Sequence, residues 1–309
     1  MHSPRLNYVN CVSKAGVHRM AYWEWGDPEN DKVLVCVHGL TRTGRDFDDI
    51  AHAMSGEYRV VCPDIVGRGA SDFLLNPSLY AVPQYVSDIF TLLARINAKT
   101  LDWIGTSMGG LIGMVFAGLV RNADLYIGNQ ELRHEGMPVK TGLALNKLVL
   151  NDVGPKIELE AIRRIGTYVG KGLEFESFER AVEYMKVNAA SFGPLNDKQW
   201  IEFTNSVIKF RDNAWKSHYD VDIAQTFKEQ ESEEALAAAE AYLWRSYKTI
   251  DCPILILRGE NSDLLSRESV TQMLEQNKNS QMAEIPEVGH APTLMPDAQI
   301  QTVREFLLS

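Results

Sequence analysis

Residues 101–120 read LDWIGTSMGGLIGMVFAGLV, an apolar run that passes straight into an apolar helical pattern through Gly105-Thr106-Ser107-Met108-Gly109-Gly110. Few folds accommodate such a junction. The turn is so tight that side chains at Gly105 and Gly109 would collide, so neither position can carry a Cβ. A strand that turns this sharply into a helix lifts the residue between the glycines above the sheet, at the helix N-terminus. That residue is Ser107.

Around this junction, short apolar runs alternate with helical patterns. Extended runs fall at Val17–Trp25, Val33–Val37, Arg59–Pro63, Thr100–Ile104, Lys147–Asn151, Ile254–Leu257 and Gln281–Ile285. Helical spacing occurs at Asp46–Met54, Pro83–Ile96, Leu111–Val120, Arg267–Gln276 and Asp297–Leu308. VLVCV, LVLN and ILIL are apolar at successive positions, as strands covered on both faces are. The alternation predicts an α/β fold, a mostly parallel sheet with helices on both faces. A hairpin through Lys14-Ala15-Gly16 is the simplest pairing for the first two strands.

From Pro155 to Thr249 the alternation stops. Ile157, Ala161, Ile162, Ile165 and Val169 recur at helical spacing, as do Trp200, Phe203, Val207 and Phe210, with no clear strand. The chain is thus expected to divide into a core, residues 1–153 and 250–309, and an inserted helical lid (cap), residues 154–249. Ligands bind at the carboxyl ends of the strands in open α/β sheets, which is where a lid would lie. A second helical layer with no role at the site is the blander alternative. The polar segment 122–146 is expected as an exposed loop or small hairpin, without an assignable function.

A hydrophobic content of 45% over 309 residues is enough for one large core. The net charge of −10 argues against nucleic acid or an anionic membrane as partner. No run is long and apolar enough to span a bilayer. Cys11, Cys36, Cys62 and Cys252 form no C-x-x-C pair, so buried free thiols in a reducing compartment are expected. MHSPRLNYVN lacks the basic start and apolar stretch of a secretory signal. A cytoplasmic monomer or homodimer is the resulting expectation.

A serine hydroxyl attacks only if a neighbouring base takes its proton. The best candidate is His290, in EVGHAP, between the last strand and the last helix. The imidazole needs a carboxylate to fix its tautomer. Asp263, directly after ILILRGENS, is the first choice; Asp152, in LVLNDVGP, is the rival and Glu260 a weaker one. The tetrahedral intermediate also needs two N–H donors aimed at its oxyanion. The amide of Met108 at the helix N-terminus and that of Leu40, in His38-Gly39-Leu40 after VLVCV, are the candidates. His38 is expected to support its loop through hydrogen bonds rather than act as a base. PDIVGRGASD, residues 63–72, reads as a sharp structural loop packed beneath the Leu40 turn.

Taken in order, His38-Gly39, Asp64-x-x-Gly67-x-Gly69-x-Ser71-Asp72, Gly105-x-Ser107-x-Gly109-Gly110, Asp263 and Gly289-His290 resemble the α/β-hydrolase superfamily, in its lidded serine esterase-like branch. The resemblance spans nearly the whole chain. It implies Ser107 as nucleophile, His290 as general base then acid, Asp263 as orienting acid, and Leu40 and Met108 as the oxyanion hole. It implies neither cofactor nor metal, and a small-molecule ester as substrate. A serine at the elbow speaks against the epoxide hydrolases and haloalkane dehalogenases of the superfamily, which attack with a carboxylate. Lactonases, perhydrolases and hydrolases of carbon–carbon bonds share the triad, although the last carry a more glycine-rich loop than HGLTRTG. A ligand receptor that keeps the triad without turnover is the reading from another class. Among Tyr168, Trp200, Phe203, Phe210, Trp215 and Trp244, some are expected to line an apolar substrate cavity.

Overall fold

The computed structural model describes residues 3–128, 142–156, 158–229 and 233–309. Strands β1 (Arg5–Ser13) and β2 (Gly16–Trp25) form an antiparallel hairpin, and β2 also runs antiparallel to β4 (Arg59–Asp64). Beyond β4 the sheet is parallel, through β3 (Val33–Val37), β5 (Thr100–Thr106), β6 (Ala144–Asn151), β10 (Ile254–Gly259) and β11 (Ser280–Ile285). Its eight strands are ordered β1-β2-β4-β3-β5-β6-β10-β11. The chain winds from β3 to β4 in one direction, then crosses back to lay β5 on the other side of β3. That reversal opens a crevice between the carboxyl ends of β3 and β5.

The apolar runs are buried on both faces because side chains alternate across a strand. Val33, Val35 and Val37 join one hydrophobic cluster, whereas Leu34 and Cys36 join the other. The first cluster packs under α2 (Val82–Arg95), α3 (Met108–Gly128) and α9 (Arg267–Gln276). The second packs under α1 (Asp48–Met54) and α10 (Asp297–Leu308). All four cysteines are buried free thiols. Among the described residues no helix is long and apolar enough to cross a membrane.

Between β6 and β10 the chain leaves the sheet. It forms α4 (Leu159–Gly166), α5 (Phe178–Asn188), α6 (Asp197–Asn205), α7 (Ile223–Glu229) and α8 (Glu233–Thr249). It also forms strands, which the sequence reading did not expect: β7 (Glu174–Phe175), β8 (Ile208–Arg211) and β9 (Ala214–Ser217) make a small antiparallel sheet. Trp200 and Phe203 lie on α6, but the helix stops at Asn205 and Phe210 belongs to β8. The turn Asp212-Asn213, both at positive φ, folds β8 onto β9. A spacing of three and four residues simply continued across the helix end. Residues 129–141 of the polar segment lie outside the described residues.

Candidate active site

Strand β5 ends at Thr106 and α3 begins at Met108, so Ser107 alone makes the turn, at φ +51°. This left-handed backbone is strained for a serine and persists because its surroundings over-determine it. The Ser107 amide donates to the Asn151 carbonyl at 3.0 Å, and the Ser107 carbonyl accepts from Gly110 at 2.8 Å. A Cβ at Gly105 would overlap the Gly109 carbonyl, and one at Gly109 would overlap the Val37 carbonyl. Trp103, fully buried in β5, donates its indole N–H to the Gly109 carbonyl at 3.2 Å. The elbow is braced from both sides.

His290, in the loop between β11 and α10, places Nε2 2.9 Å from Ser107 Oγ and Nδ1 2.7 Å from Asp152 Oδ2. Asp152 immediately follows β6, at φ +55°, and is completely buried. Its Oδ1 accepts the Gly259 amide at 2.9 Å, and its Oδ2 accepts the Ser262 hydroxyl at 2.6 Å. These donors fix the buried carboxylate in direction. Such a chain of contacts can pass a proton from hydroxyl to imidazole, with the carboxylate facing the imidazolium that would result.

Asp263 stands elsewhere, and the expectation that it meets His290 is corrected. Its carboxylate takes a bidentate pair from Arg164 of α4, at 2.6 and 2.9 Å, and is half exposed. The loop after β10 turns Ser262, one residue earlier, toward the centre and sends Asp263 outward. The rival Asp152 reaches His290 instead, and Glu260 holds the Glu287 amide at 2.9 Å.

Leu40 and Met108 line the same cavity as Ser107. A Cβ at Gly39 would sit 3.8 Å from Ser107 Cβ, so the Leu40 turn abuts the elbow across the β3–β5 crevice. His38 has its Nε2 accepting from the Ile65 amide (2.9 Å), while Nδ1 faces the Gly39 carbonyl (2.7 Å). Burial pushes its pKa down to about 3, so it is neutral and structural. In the 63–72 loop, Asp64 accepts the amides of Gly44 (2.8 Å) and Ala70 (2.9 Å), and Ser71 bonds the Asp64 carbonyl. Arg68, wholly buried between the two glycines, donates to the Leu40 carbonyl at 2.8 Å and approaches Met108 Sδ at 3.6 Å.

The cavity wall is mainly aliphatic, including Leu111, Ile162, Ile165 and Leu264. None of the six aromatics expected there lines it among the described residues. Trp200 and Phe203 pack edge to face, Phe210 packs on Trp215, and Trp244 on Tyr247. Rings this large bury more area against one another than against an open cleft.

A model of the alpha/beta hydrolase family matches residues 34–302. The chain belongs to this family. A 3-hydroxybutyrate-oligomer hydrolase of Cupriavidus necator is 48% identical to it over 308 residues, 98% of each chain. The crystal structure of an alpha/beta hydrolase of Novosphingobium aromaticivorans DSM 12444 matches with a TM-score of 0.79 at 29% identity, covering 100% of this chain and 99% of the other. E-2-(acetamidomethylene)succinate hydrolase matches with a TM-score of 0.76 over 99% of this chain and 100% of its own, but at 18% identity it speaks for the fold alone. Hydrolysis is thus the activity of this alpha/beta hydrolase.

Three supporting residues of the alpha/beta hydrolase escaped the sequence reading. Asn151 donates from Nδ2 to Thr106 Oγ1 (2.9 Å) and the Pro292 carbonyl (2.8 Å), tying the elbow strand to the histidine loop. Ser262 orients Asp152, and Arg68 buttresses the Leu40 turn. Asn151-Asp152 at the end of an apolar strand was the available signal, since an aspartate there tolerates the left-handed turn that Asp152 makes.

Proposed function

We propose that this alpha/beta hydrolase cleaves carboxylic esters through an acyl-enzyme on Ser107. The continuous hydrogen-bond chain from Ser107 Oγ through His290 to Asp152 carries the reading. His290 Nε2 takes the serine proton as Oγ attacks the ester carbonyl, and Asp152 stabilises the imidazolium. The amides of Leu40 and Met108 receive the developing oxyanion. The imidazolium then protonates the departing alcohol, and water, deprotonated by the same ring, releases the acid. Residues 154–249 serve as the cap over this site, fastened to loops at the carboxyl ends of the strands.

The substrates are oligomers of 3-hydroxybutyrate or a close hydroxy acid. Identity of 48% along nearly the full length of the Cupriavidus necator protein supports this class, and the aliphatic cavity suits methyl-branched, uncharged repeat units. The test pairs fluorophosphonate labelling with turnover of the linear 3-hydroxybutyrate dimer, alongside lactones and p-nitrophenyl butyrate. Wild type is expected to label at Ser107 and turn the dimer over repeatedly. Ser107→Ala should lose labelling and on the order of 10⁶-fold in kcat. Labelling without multiple turnover of any ester would favour a receptor, and substantial activity in Ser107→Ala would exclude the nucleophile.

A further inference from the structure

Polar groups in the cavity beside Ser107 are few, and most are already occupied. Tyr80 donates its hydroxyl to Asp220 Oδ2 at 2.6 Å, Tyr85 accepts from Arg68 at 3.0 Å, and Thr226 donates to the Ile223 carbonyl at 3.1 Å. Among the described residues of the wall, Lys156 is the one cation and Glu158 the one acid. Lys156 Nζ stands 3.3 Å from Glu158 Oε1, an oxygen that also accepts the Ser266 hydroxyl at 3.0 Å. An ammonium carries three donors, and one shared carboxylate oxygen at that distance does not use them up. Lys156 follows Asp152 by four residues, at the carboxyl end of β6, beside the strand that bears Ser107.

We propose that Lys156 binds the free carboxylate of a hydroxy-acid ester and makes the site selective for the anionic end of an oligomer. The assignment rests on the ester-hydrolase reading above. A linear oligoester of a hydroxy acid ends in one carboxylate, a few bonds from its terminal ester carbonyl. A chain of net charge −10 repels such a substrate at long range. A partly buried ammonium on a mainly aliphatic wall attracts it locally, at short range, where Coulomb forces are less screened. The other cations near the Leu40 turn are engaged: Arg42 pairs in bidentate fashion with Asp46 (2.6 and 2.7 Å), and Arg45 with Asp48. Glu158 holds Lys156 in place when the site is empty, and it opposes the incoming carboxylate.

The test compares the linear 3-hydroxybutyrate dimer with its methyl ester on purified full-length protein. In wild type, the ratio of kcat/KM for the free acid to that for the methyl ester should fall steeply with added salt. Lys156→Gln should lower this ratio about tenfold, through KM for the free acid, and Lys156→Arg should restore most of it. Glu158→Gln should raise the ratio, which keeps the test informative if Lys156→Gln folds poorly. A ratio unmoved by Lys156→Gln and Glu158→Gln would overturn the proposal. So would a wild type that cleaves p-nitrophenyl butyrate but neither dimer form, in which case the substrate class falls while the ester chemistry stands.

Discussion

At the scale of single residues, the site turns on which carboxylate faces His290. Asp152 has three donors converging on two oxygens in a fully buried position, whereas Asp263 has one arginine at the surface. Asp152→Asn should therefore cost about 10⁴-fold in kcat, because an amide favours the wrong imidazole tautomer. Asp263→Asn should change kcat less than severalfold and shift stability by under about 1 kcal/mol, as an exposed pair does. Ester turnover of both variants checks this, and the opposite ranking would return the acid to Asp263. Ser107, His290, Leu40 and Met108 were legible as candidates because each sits near a strand end marked by glycine. The acid was not. Two aspartates follow two apolar strands, Asp152 directly after β6 and Asp263 a few residues past β10, and the direction of each loop decides which one meets His290.

At the scale of elements, the elbow is a steric object. Gly109 packs against the backbone of β3, its would-be Cβ overlapping the Val37 carbonyl and lying 3.1 Å from the His38 carbonyl. Gly109→Ala must push α3 away from β3 and widen the crevice between the Leu40 and Met108 amides. We expect a loss of about 1–3 kcal/mol in stability, and a kcat loss larger than the change in KM. Chemical denaturation and steady-state kinetics together test this; unchanged kcat in a destabilised variant would show that the crevice tolerates the shift. The parallel strands and their helices were legible from periodicity alone. The β8–β9 hairpin was not, because Val207 and Phe210 continue the spacing of α6 past its end. Asp212-Asn213, the one local signal, is a weaker cue than an apolar repeat.

At the scale of the whole molecule, the insertion is fastened to the core at several loops. Thr43 donates to the Ser206 carbonyl at 3.0 Å, the Gly69 amide to His218 Nδ1 at 2.6 Å, and the Gly289 amide to the Ser191 carbonyl at 2.6 Å. One of these junctions uses a buried histidine, His218, and a second buried histidine, His38, braces the Leu40 turn inside the core. Burial holds His38 near a pKa of about 3 against an ordinary 6.5, and holds His218 well below its ordinary value. The unfolded chain binds protons at these positions below pH 6.5 and the native state does not. Their contribution to stability is whole above pH 6.5 and is lost as pH falls, for His38 toward about 3. Asp64 acts in the opposite sense: burial raises its pKa from 3.8 to about 6, so stability is gained as pH falls across that interval. Melting curves from pH 7 to 4 should show a declining Tm in wild type and a shallower decline in His38→Asn. Equal slopes would remove His38 from the acid response. The sequence by itself determined the layered sheet, the elbow and the serine and histidine proposed as nucleophile and base, because hydrophobic period and glycine position are local properties of a chain. Tertiary structure alone decided the acid, the small sheet within the insertion and the aliphatic lining of the cavity. The acid and the lining depend on which of several chemically similar residues a loop turns inward, which is settled by packing between segments far apart in the chain, and the small sheet depends on where α6 stops.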